Sequence, residues 1–87
     1  MVKYRIIFKN SAAKELRNLD EKTQKLLSFE INKLAENARP SGCIKITDKN
    51  LYRIRKGNYR VIYSIEDDVL LIKIIRTRHR KNVYENM

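Results

Sequence analysis

Arginines in the second half of the sequence are spaced so that several guanidinium groups would share one surface. Arg53 and Arg55 precede the dipeptide Gly57-Asn58, and Arg60 follows it. A Gly-Asn pair between two alternating runs predicts a two-residue hairpin turn, of type II′ because Gly stands first. In that hairpin three arginines line one face. The predicted register pairs Lys56 with Tyr59, Arg55 with Arg60, Ile54 with Val61, Arg53 with Ile62 and Tyr52 with Tyr63.

A second basic stretch follows this hairpin. A two-residue turn at Asp67-Asp68 would place Lys73 beside Ile62, on the face that carries the arginines. Every basic residue after position 50 lies in 53–60 or 73–81, and neither window contains an acid. Acids near this surface are expected only at 66–68 and at Glu85. The candidate anion-binding residues are Arg53, Arg55, Lys56, Arg60, Lys73, Arg76, Arg78, Arg80 and Lys81.

The choice of arginine favours phosphate as the bound anion. Opposed like charges destabilise a hairpin, and neither strand supplies an acid to offset Arg55 and Arg60. Arginine is preferred over lysine where phosphate is gripped through two parallel hydrogen bonds. The simpler alternative is a solvated charged surface that only discourages aggregation. We favour phosphate binding because arginine outnumbers lysine on this face.

Such a face could promote cleavage of RNA. The 2′-hydroxyl of RNA can attack the adjacent phosphate when it is held in line and the developing negative charge is stabilised. His79 and Tyr84 are the titratable candidates for proton transfer, with Lys56 or Lys81 if either is desolvated. The alternatives are an exposed residue at a strand end for His79 and an apolar anchor of the C-terminal segment for Tyr84.

Other catalytic constellations are missing from the sequence. There is no glycine-rich phosphate loop and no pair of histidines. A nuclease with two metal ions needs several convergent carboxylates, which the spacing does not supply. The sequence therefore predicts no metal, no cofactor and no small-molecule ligand.

Length and composition limit the class of protein. The chain has 87 residues and a formal net charge of +10, which predicts one domain over 1–87 and a polyanion or an acidic protein as partner. Apolar residues make up 43%, enough for a core. The one cysteine, Cys43, is expected to be a small core residue in a reducing compartment. No run approaches the roughly 20 apolar residues of a membrane span, so a cytoplasmic location without membrane contact is predicted.

Hydrophobic periodicity predicts the elements that position these residues. A first strand alternates at Tyr4, Ile6 and Phe8, and a helix capped by Asn10 or Ser11 follows. Asp20 caps a second helix, which Pro40 and Gly42 end; its apolar stripe is Leu27, Ile31, Leu34 and Ala38, broadened by Phe29 and Ala35. Strands follow at 51–56, 59–65 and 69–77, with a short one possible at 43–47. The predicted fold class is α+β: an N-terminal strand, an antiparallel helical hairpin, then a three- to four-stranded, mainly antiparallel sheet with one bare face.

Two strings of residues resemble a known family. YRIRKGNYRVIY over 52–63 and RHRKNVY over 78–84, in this order of elements, resemble RelE toxins of the RelE/ParE superfamily. The resemblance implies a microbial-ribonuclease-like fold and the toxin half of a toxin–antitoxin pair, an endoribonuclease that cleaves messenger RNA in the ribosomal A site without metal and so inhibits translation. It covers nearly the whole chain.

The resemblance also implies roles for individual residues. Arg60 and Arg80 would hold the scissile phosphate and stabilise the transition state, Arg53 and Arg55 would bind and orient it, Tyr84 would stack on the nucleotide, and His79 would assist. This chain has arginines where some relatives carry lysines, and a shorter path from Arg80 to Tyr84. A guanidinium is a poor proton carrier because its pKa exceeds about 12, which leaves the general base open.

Two other functions fit the same fold. ParE-like relatives poison DNA gyrase and have no nuclease site, and a basic face could dock ribosomal or messenger RNA without cleaving it. The retained Arg80 and Tyr84 favour the ribonuclease. The predicted partners are an acidic, partly disordered, RelB-like antitoxin that lies on the basic surface, together with the ribosome and messenger RNA.

Overall fold

The computed structural model describes residues 3–46 and 50–79, with the backbone alone at His79. One five-stranded sheet has the order β1-β5-β4-β3-β2. β1 is parallel to β5, and all other neighbours are antiparallel. This confirms the predicted α+β class and the short strand after the helices. The elements are β1 (Arg5–Phe8), α1 (Asn10–Arg17), α2 (Glu21–Lys33), β2 (Ile44–Lys45), β3 (Leu51–Lys56), β4 (Tyr59–Glu66) and β5 (Leu71–His79).

The two helices differ in how they begin. The predicted cap of α1 by Asn10 or Ser11 is wrong: the N-cap residue is Lys9, and its side chain makes no capping hydrogen bond. The predicted cap of α2 is confirmed, since Asp20 accepts a hydrogen bond from the Thr23 N–H at 3.1 Å. Hydrogen bonds from Thr23 hold the pKa of Asp20 below its ordinary value. α2 is therefore the better-defined of the two helix starts.

The helices cover one face of the sheet. Tyr52, Ile54, Val61 and Tyr63, which the hairpin register assigns to the core, are all buried. Phe29 is the exception among the predicted core residues, because its side chain is 61% exposed on α2. No helix in the described ranges is long and apolar enough to cross a membrane. The buried apolar cluster consists of Ala12, Leu27, Ile31, Leu34, Ala38, Tyr52, Ile54, Val61, Tyr63, Ile65, Ile72 and Ile74.

The β3–β4 hairpin has the predicted register throughout, with Arg55 opposite Arg60 and Arg53 opposite Ile62. Gly57 has a φ of 59°. Among non-glycine residues of the described ranges, positive φ occurs only at Asn50 and Leu70, so Asn58 has the negative φ of a type II′ turn. The turn residues therefore set the register that the sequence predicted.

The β4–β5 connection differs from its prediction. The turn spans 67–70 instead of two residues, and Leu70 has a φ of 51°. Lys73 consequently lies opposite Ser64 and not beside Ile62. It keeps the predicted face, because Ser64 and Ile62 are two residues apart on one strand. A bulge between Ile62 and Tyr63 then shifts the register again, which brings Arg76 opposite Ile62 and Arg78 opposite Arg60.

One arginine at the far end of β4 joins several elements. Arg39 Nη2 lies 2.9 Å from Asp67 Oδ2, and Arg39 Nε donates a hydrogen bond of 3.2 Å to the Tyr52 hydroxyl. The Tyr4 hydroxyl donates to the other Asp67 oxygen. The Arg39 guanidinium also lies 5.1 Å from the centroid of the Tyr52 ring. These four residues, here called the Arg39 network, join the residue before β1, the strand β3, the segment after α2 and the turn at 67–70.

Candidate nucleic-acid interface

Arg53, Arg55 and Arg60 form the arginine cluster on the sheet face that the helices leave open. Strand alternation places them opposite the buried side chains of β3 and β4, as the sequence predicted. Arg53 and Arg60 are half-buried, and Arg55 is exposed. Cross-strand neighbours on one face lie about 5 Å apart at Cβ, so the opposed pair Arg55 and Arg60 brings two cations close together.

Two donors of the arginine cluster are buried without a partner. The Nε atoms of Arg53 and Arg60 are inaccessible to solvent, and neither has a hydrogen-bond partner in the described part of the chain. A buried donor without a partner costs about 1–3 kcal/mol. The arrangement is therefore costly by itself, and a nearby anionic ligand would lower that cost by stabilising the positive charge of the two guanidinium groups.

The electrostatics of the arginine cluster also favour an anion. Burial lowers the pKa of Arg53, and the positive charges of Arg55 and Arg60 lower it further. A lowered pKa for a guanidinium means that its environment disfavours positive charge, although the group stays protonated at neutral pH. A phosphate bound among the three would reverse that effect, because an opposite charge stabilises the cationic form.

The second predicted basic stretch lies beside the arginine cluster along β5. Arg78 faces Arg60 across the strands, Arg76 faces Ile62, and Lys73 is exposed opposite Ser64. The open face thus carries three basic residues of β5 as well as the arginine cluster of the hairpin. The face of Lys73 agrees with its prediction, and the bulge adds Arg76 and Arg78 to the same face.

The expectation that no acid reaches this surface outside the 66–68 turn and Glu85 is wrong. Glu15 of α1 accepts a hydrogen bond from Arg78 Nε at 3.1 Å and lies 3.5 Å from Arg76 Nη1. Glu15 precedes Arg78 by 63 positions, so no local pattern connects them. Glu15 is the site residue that the sequence reasoning missed; the spacing of Ala12 and Glu15 on one face of α1 was the only signal that could have indicated it.

The remaining predicted site residues are not all brought together. Lys56 is exposed at the end of β3, but strand alternation places it on the same face as Ile54, away from the arginines. His79 ends β5 opposite Tyr59. The His79 side chain, Arg80, Lys81 and Tyr84 lie outside the described residues, so their roles stay predictions.

The arrangement can bind phosphate and stabilise charge that develops on it. Guanidinium groups from adjacent strands supply several donors on one surface, which suits a transition state with extra negative charge on the phosphate oxygens. Within residues 3–46 and 50–78, no three His, Cys, Asp or Glu side chains come close enough to share a metal ion.

Comparisons with known proteins agree with this fold. A family model described as "ParE toxin of type II toxin-antitoxin system, parDE" matches residues 6–84. A curated RelE-like toxin protein of Escherichia coli is 28% identical over 87 residues, which cover 95% of this chain and 92% of the relative.

Two solved structures are similar to this chain in fold. One is the archaeal RelE–RelB complex from Pyrococcus horikoshii, with a TM-score of 0.77 and 30% identity over 90% of this chain and 96% of that chain. The other is the isolated E. coli RelE toxin, with a TM-score of 0.79 and 23% identity over 95% of this chain and 93% of that chain. The second likeness shows the fold alone.

Proposed function

Since this chain belongs to the RelE/ParE superfamily of type II toxin–antitoxin toxins, as a RelE-type member, we propose that it is a ribosome-dependent endoribonuclease. Its substrate is messenger RNA in the ribosomal A site, and its reaction needs no metal. The 2′-hydroxyl oxygen attacks the adjacent phosphorus, the bond to the 5′-oxygen breaks, and the products carry a 2′,3′-cyclic phosphate and a 5′-hydroxyl. One proton leaves the 2′-hydroxyl and one is delivered to the 5′-oxygen.

The observation that carries this proposal is the pair of buried, unpartnered Nε atoms at Arg53 and Arg60. In the proposed reaction Arg60 holds the scissile phosphate, while Arg53 and Arg55 bind and orient it. Arg78 adds positive charge beside Arg60. The guanidinium groups stabilise the negative charge of the transition state, as metal ions do in other nucleases.

The remaining roles rest on the family resemblance. Arg80 would share the scissile phosphate with Arg60, Tyr84 would stack on the substrate nucleotide, and His79 would assist in proton transfer. Lys73, Arg76 and Lys81 would contact the RNA backbone further from the reacting atoms, whereas Lys56, on the other face of β3, takes no part. A protein that acts on translating ribosomes works in the cytoplasm.

The charge of the chain supports an antitoxin as its second partner. The Pyrococcus relative was solved as a complex of RelE with RelB. By analogy, this toxin is inhibited by an acidic, RelB-like antitoxin that covers the basic face. A net charge of +10 favours such a partner through complementary charge and fast association.

A toeprint on ribosomes programmed with defined A-site codons tests the proposal. We expect cleavage within the A-site codon by the purified toxin, unchanged by EDTA. The Arg60→Ala variant should cut at least about 100-fold more slowly, the loss typical of a donor to the transition state. Arg17→Ala is the matched control, because Arg17 is an exposed arginine on α1 outside the arginine cluster. Cleavage that Arg60→Ala leaves intact would refute the proposal.

A second candidate function is supported by the family model. That model is described as a ParE toxin and spans residues 6–84, and ParE-like relatives poison DNA gyrase. A toxin that halts growth but cleaves no codon should then stabilise gyrase–DNA cleavage complexes in vitro. A non-catalytic RNA binder would do neither, and in it Arg60→Ala would change only the affinity for RNA and its salt dependence.

A further inference from the structure

The Glu15 carboxylate of α1 accepts a main-chain hydrogen bond from the edge of β5, next to the open face. β1 pairs with β5 only as far as Ile74. Beyond that point α1 takes the place of the missing strand: the Ala12 carbonyl accepts a hydrogen bond of 3.0 Å from Thr77 Oγ1, and Glu15 Oε1 accepts one of 3.2 Å from the Thr77 N–H. Glu15 therefore satisfies a main-chain donor that would otherwise lack a partner.

The second oxygen of the same carboxylate is engaged by two arginines. Arg78 Nε donates to Glu15 Oε2 at 3.1 Å, and Arg76 Nη1 lies 3.5 Å from that oxygen. The Glu15 side chain is 25% exposed, so water competes less for it than at an open surface pair. Three donors on one carboxylate fix its orientation and, with it, the direction of the Arg78 side chain.

The contact leaves the outer part of Arg78 available. It uses Nε, and neither Nη of Arg78 has a hydrogen-bond partner in the described part of the chain. Arg78 faces Arg60 across the strands. Two facing guanidinium groups repel each other. Without a nearby negative charge, the Arg78 side chain would therefore turn away from Arg60. The negative charge of Glu15, 3.1 Å from Arg78 Nε, offsets that repulsion.

From this geometry we propose that Glu15 is a positioning residue, which holds Arg78 with its Nη nitrogens toward the RNA phosphate bound at Arg60. The inference rests on the proposed function, since it assigns a supporting residue to the same phosphate site. Glu15 does not touch the phosphate; it acts through Arg78.

A positioning role and simple charge neutralisation predict opposite changes in RNA affinity when Glu15 is replaced. Replacing Glu15 by Gln raises the formal net charge of +10 by one. If only total charge mattered, RNA would bind more tightly to the variant. If Glu15 orients Arg78, binding and cleavage weaken although the protein becomes more basic.

The test compares Glu15→Gln with Glu21→Gln, which makes the same charge change at a site 84% exposed on α2. The probe is a single-stranded RNA oligonucleotide with 2′-O-methyl groups, which cannot be cleaved, and affinity is measured by fluorescence anisotropy at fixed salt. We expect binding about fivefold weaker for Glu15→Gln, the effect of a strong exposed ion pair, and unchanged or tighter for Glu21→Gln. On ribosomes, the cleavage rate at saturation should fall while the concentration for half-maximal rate changes less.

A double-mutant cycle separates positioning from packing. In an Arg78→Ala background the loss caused by Glu15→Gln should disappear, because the residue through which Glu15 acts is gone. A loss that persists there, or tighter binding by Glu15→Gln, overturns the inference, and so does a wild-type toxin that fails to bind the probe. If the toxin binds the probe but cleaves no codon, the proposed ribonuclease is refuted while the binding cycle still decides the role of Glu15.

Discussion

Two arginine sites at opposite ends of β4 differ in whether the guanidinium groups have acceptors. At the end where Asp67 follows β4, Arg39 donates to both oxygens of Asp67, at 3.3 and 2.9 Å, and through Nε to Tyr52. Near the first residue of β4, Arg60 and its neighbour Arg53 keep buried Nε atoms without a partner in the described ranges. The Arg39 site contains its own acceptors, whereas these two Nε atoms have none among the described residues.

The pKa shifts show the same contrast. The hydrogen bond to Asp67 raises the pKa of Arg39, and the hydroxyl of Tyr52 adds to that effect. Burial lowers the pKa of Arg53, and two neighbouring arginines add to that effect. A protein that uses arginine only for stability surrounds it with acceptors, as at Arg39. The arginine cluster is the opposite arrangement, which indicates a ligand supplied from outside the chain.

The largest expected effect is stabilisation of the toxin by an anion that binds at the arginine cluster. The uncleavable 2′-O-methyl oligonucleotide, at 100 times its wild-type dissociation constant, should stabilise the toxin by about 2.7 kcal/mol. The Arg60→Ala variant should lose much of this stabilisation, because it binds the oligonucleotide more weakly at the same concentration. Without ligand, the variant should be as stable as the wild type or more stable, since an unpartnered donor and a repulsive charge are removed.

Thermal unfolding with and without the oligonucleotide measures both effects. Arg17→Ala serves again as the control for loss of one exposed positive charge. A ligand-induced shift of the melting temperature that is equal in Arg60→Ala and Arg17→Ala would mean that the oligonucleotide binds by overall charge. The difference between the two arginine sites would then say nothing about function.

Loss of Arg39 should have a smaller effect, and on stability alone. Arg39→Ala removes the ion pair to Asp67 and the contact with the Tyr52 ring. Because the Arg39 side chain is 43% exposed, we expect a loss of about 1 kcal/mol, or roughly 4–8 °C in melting temperature for a domain of this size. Urea unfolding measures the free energy. An Arg39→Ala variant with full stability but weaker oligonucleotide binding would reverse the assignment of the two sites.

The sequence predicted those parts of the fold that depend on local rules. The hairpin register followed from Gly57-Asn58 and a period of two, and the start of α2 followed from Asp20. The turn at 67–70 could not be predicted, because it places Leu70 at positive φ, which that residue rarely adopts. The bulge after Ile62 has no signature in the sequence, and it decides that Arg78 faces Arg60.

The sequence likewise predicted those parts of the site that depend on local periodicity. Arg53, Arg55 and Arg60 lie on neighbouring strands joined by a short turn, so local periodicity brings them together. Glu15 reaches Arg78 only because α1 packs against β5, a contact between residues 63 positions apart. Spacing within one element cannot indicate a contact of this kind, and the same holds for Arg39 and Asp67, which are 28 positions apart.

Acid should weaken the Arg39 network while leaving the arginines charged. Hydrogen bonds from Arg39 and then Tyr4 hold the pKa of Asp67 below its ordinary value. A carboxylate with a lowered pKa stabilises the fold above about pH 4, and this contribution is lost as the pH falls from there through the lowered pKa. The difference in stability between the wild type and Asp67→Asn should therefore shrink on acidification from pH 7 to pH 3. Asp20 also has a lowered pKa, but it titrates in both proteins and cancels in the comparison. A difference that stays constant over this range would show that the Asp67 carboxylate contributes no charge-dependent stability, and the Arg39 network would then be held by its aromatic contact.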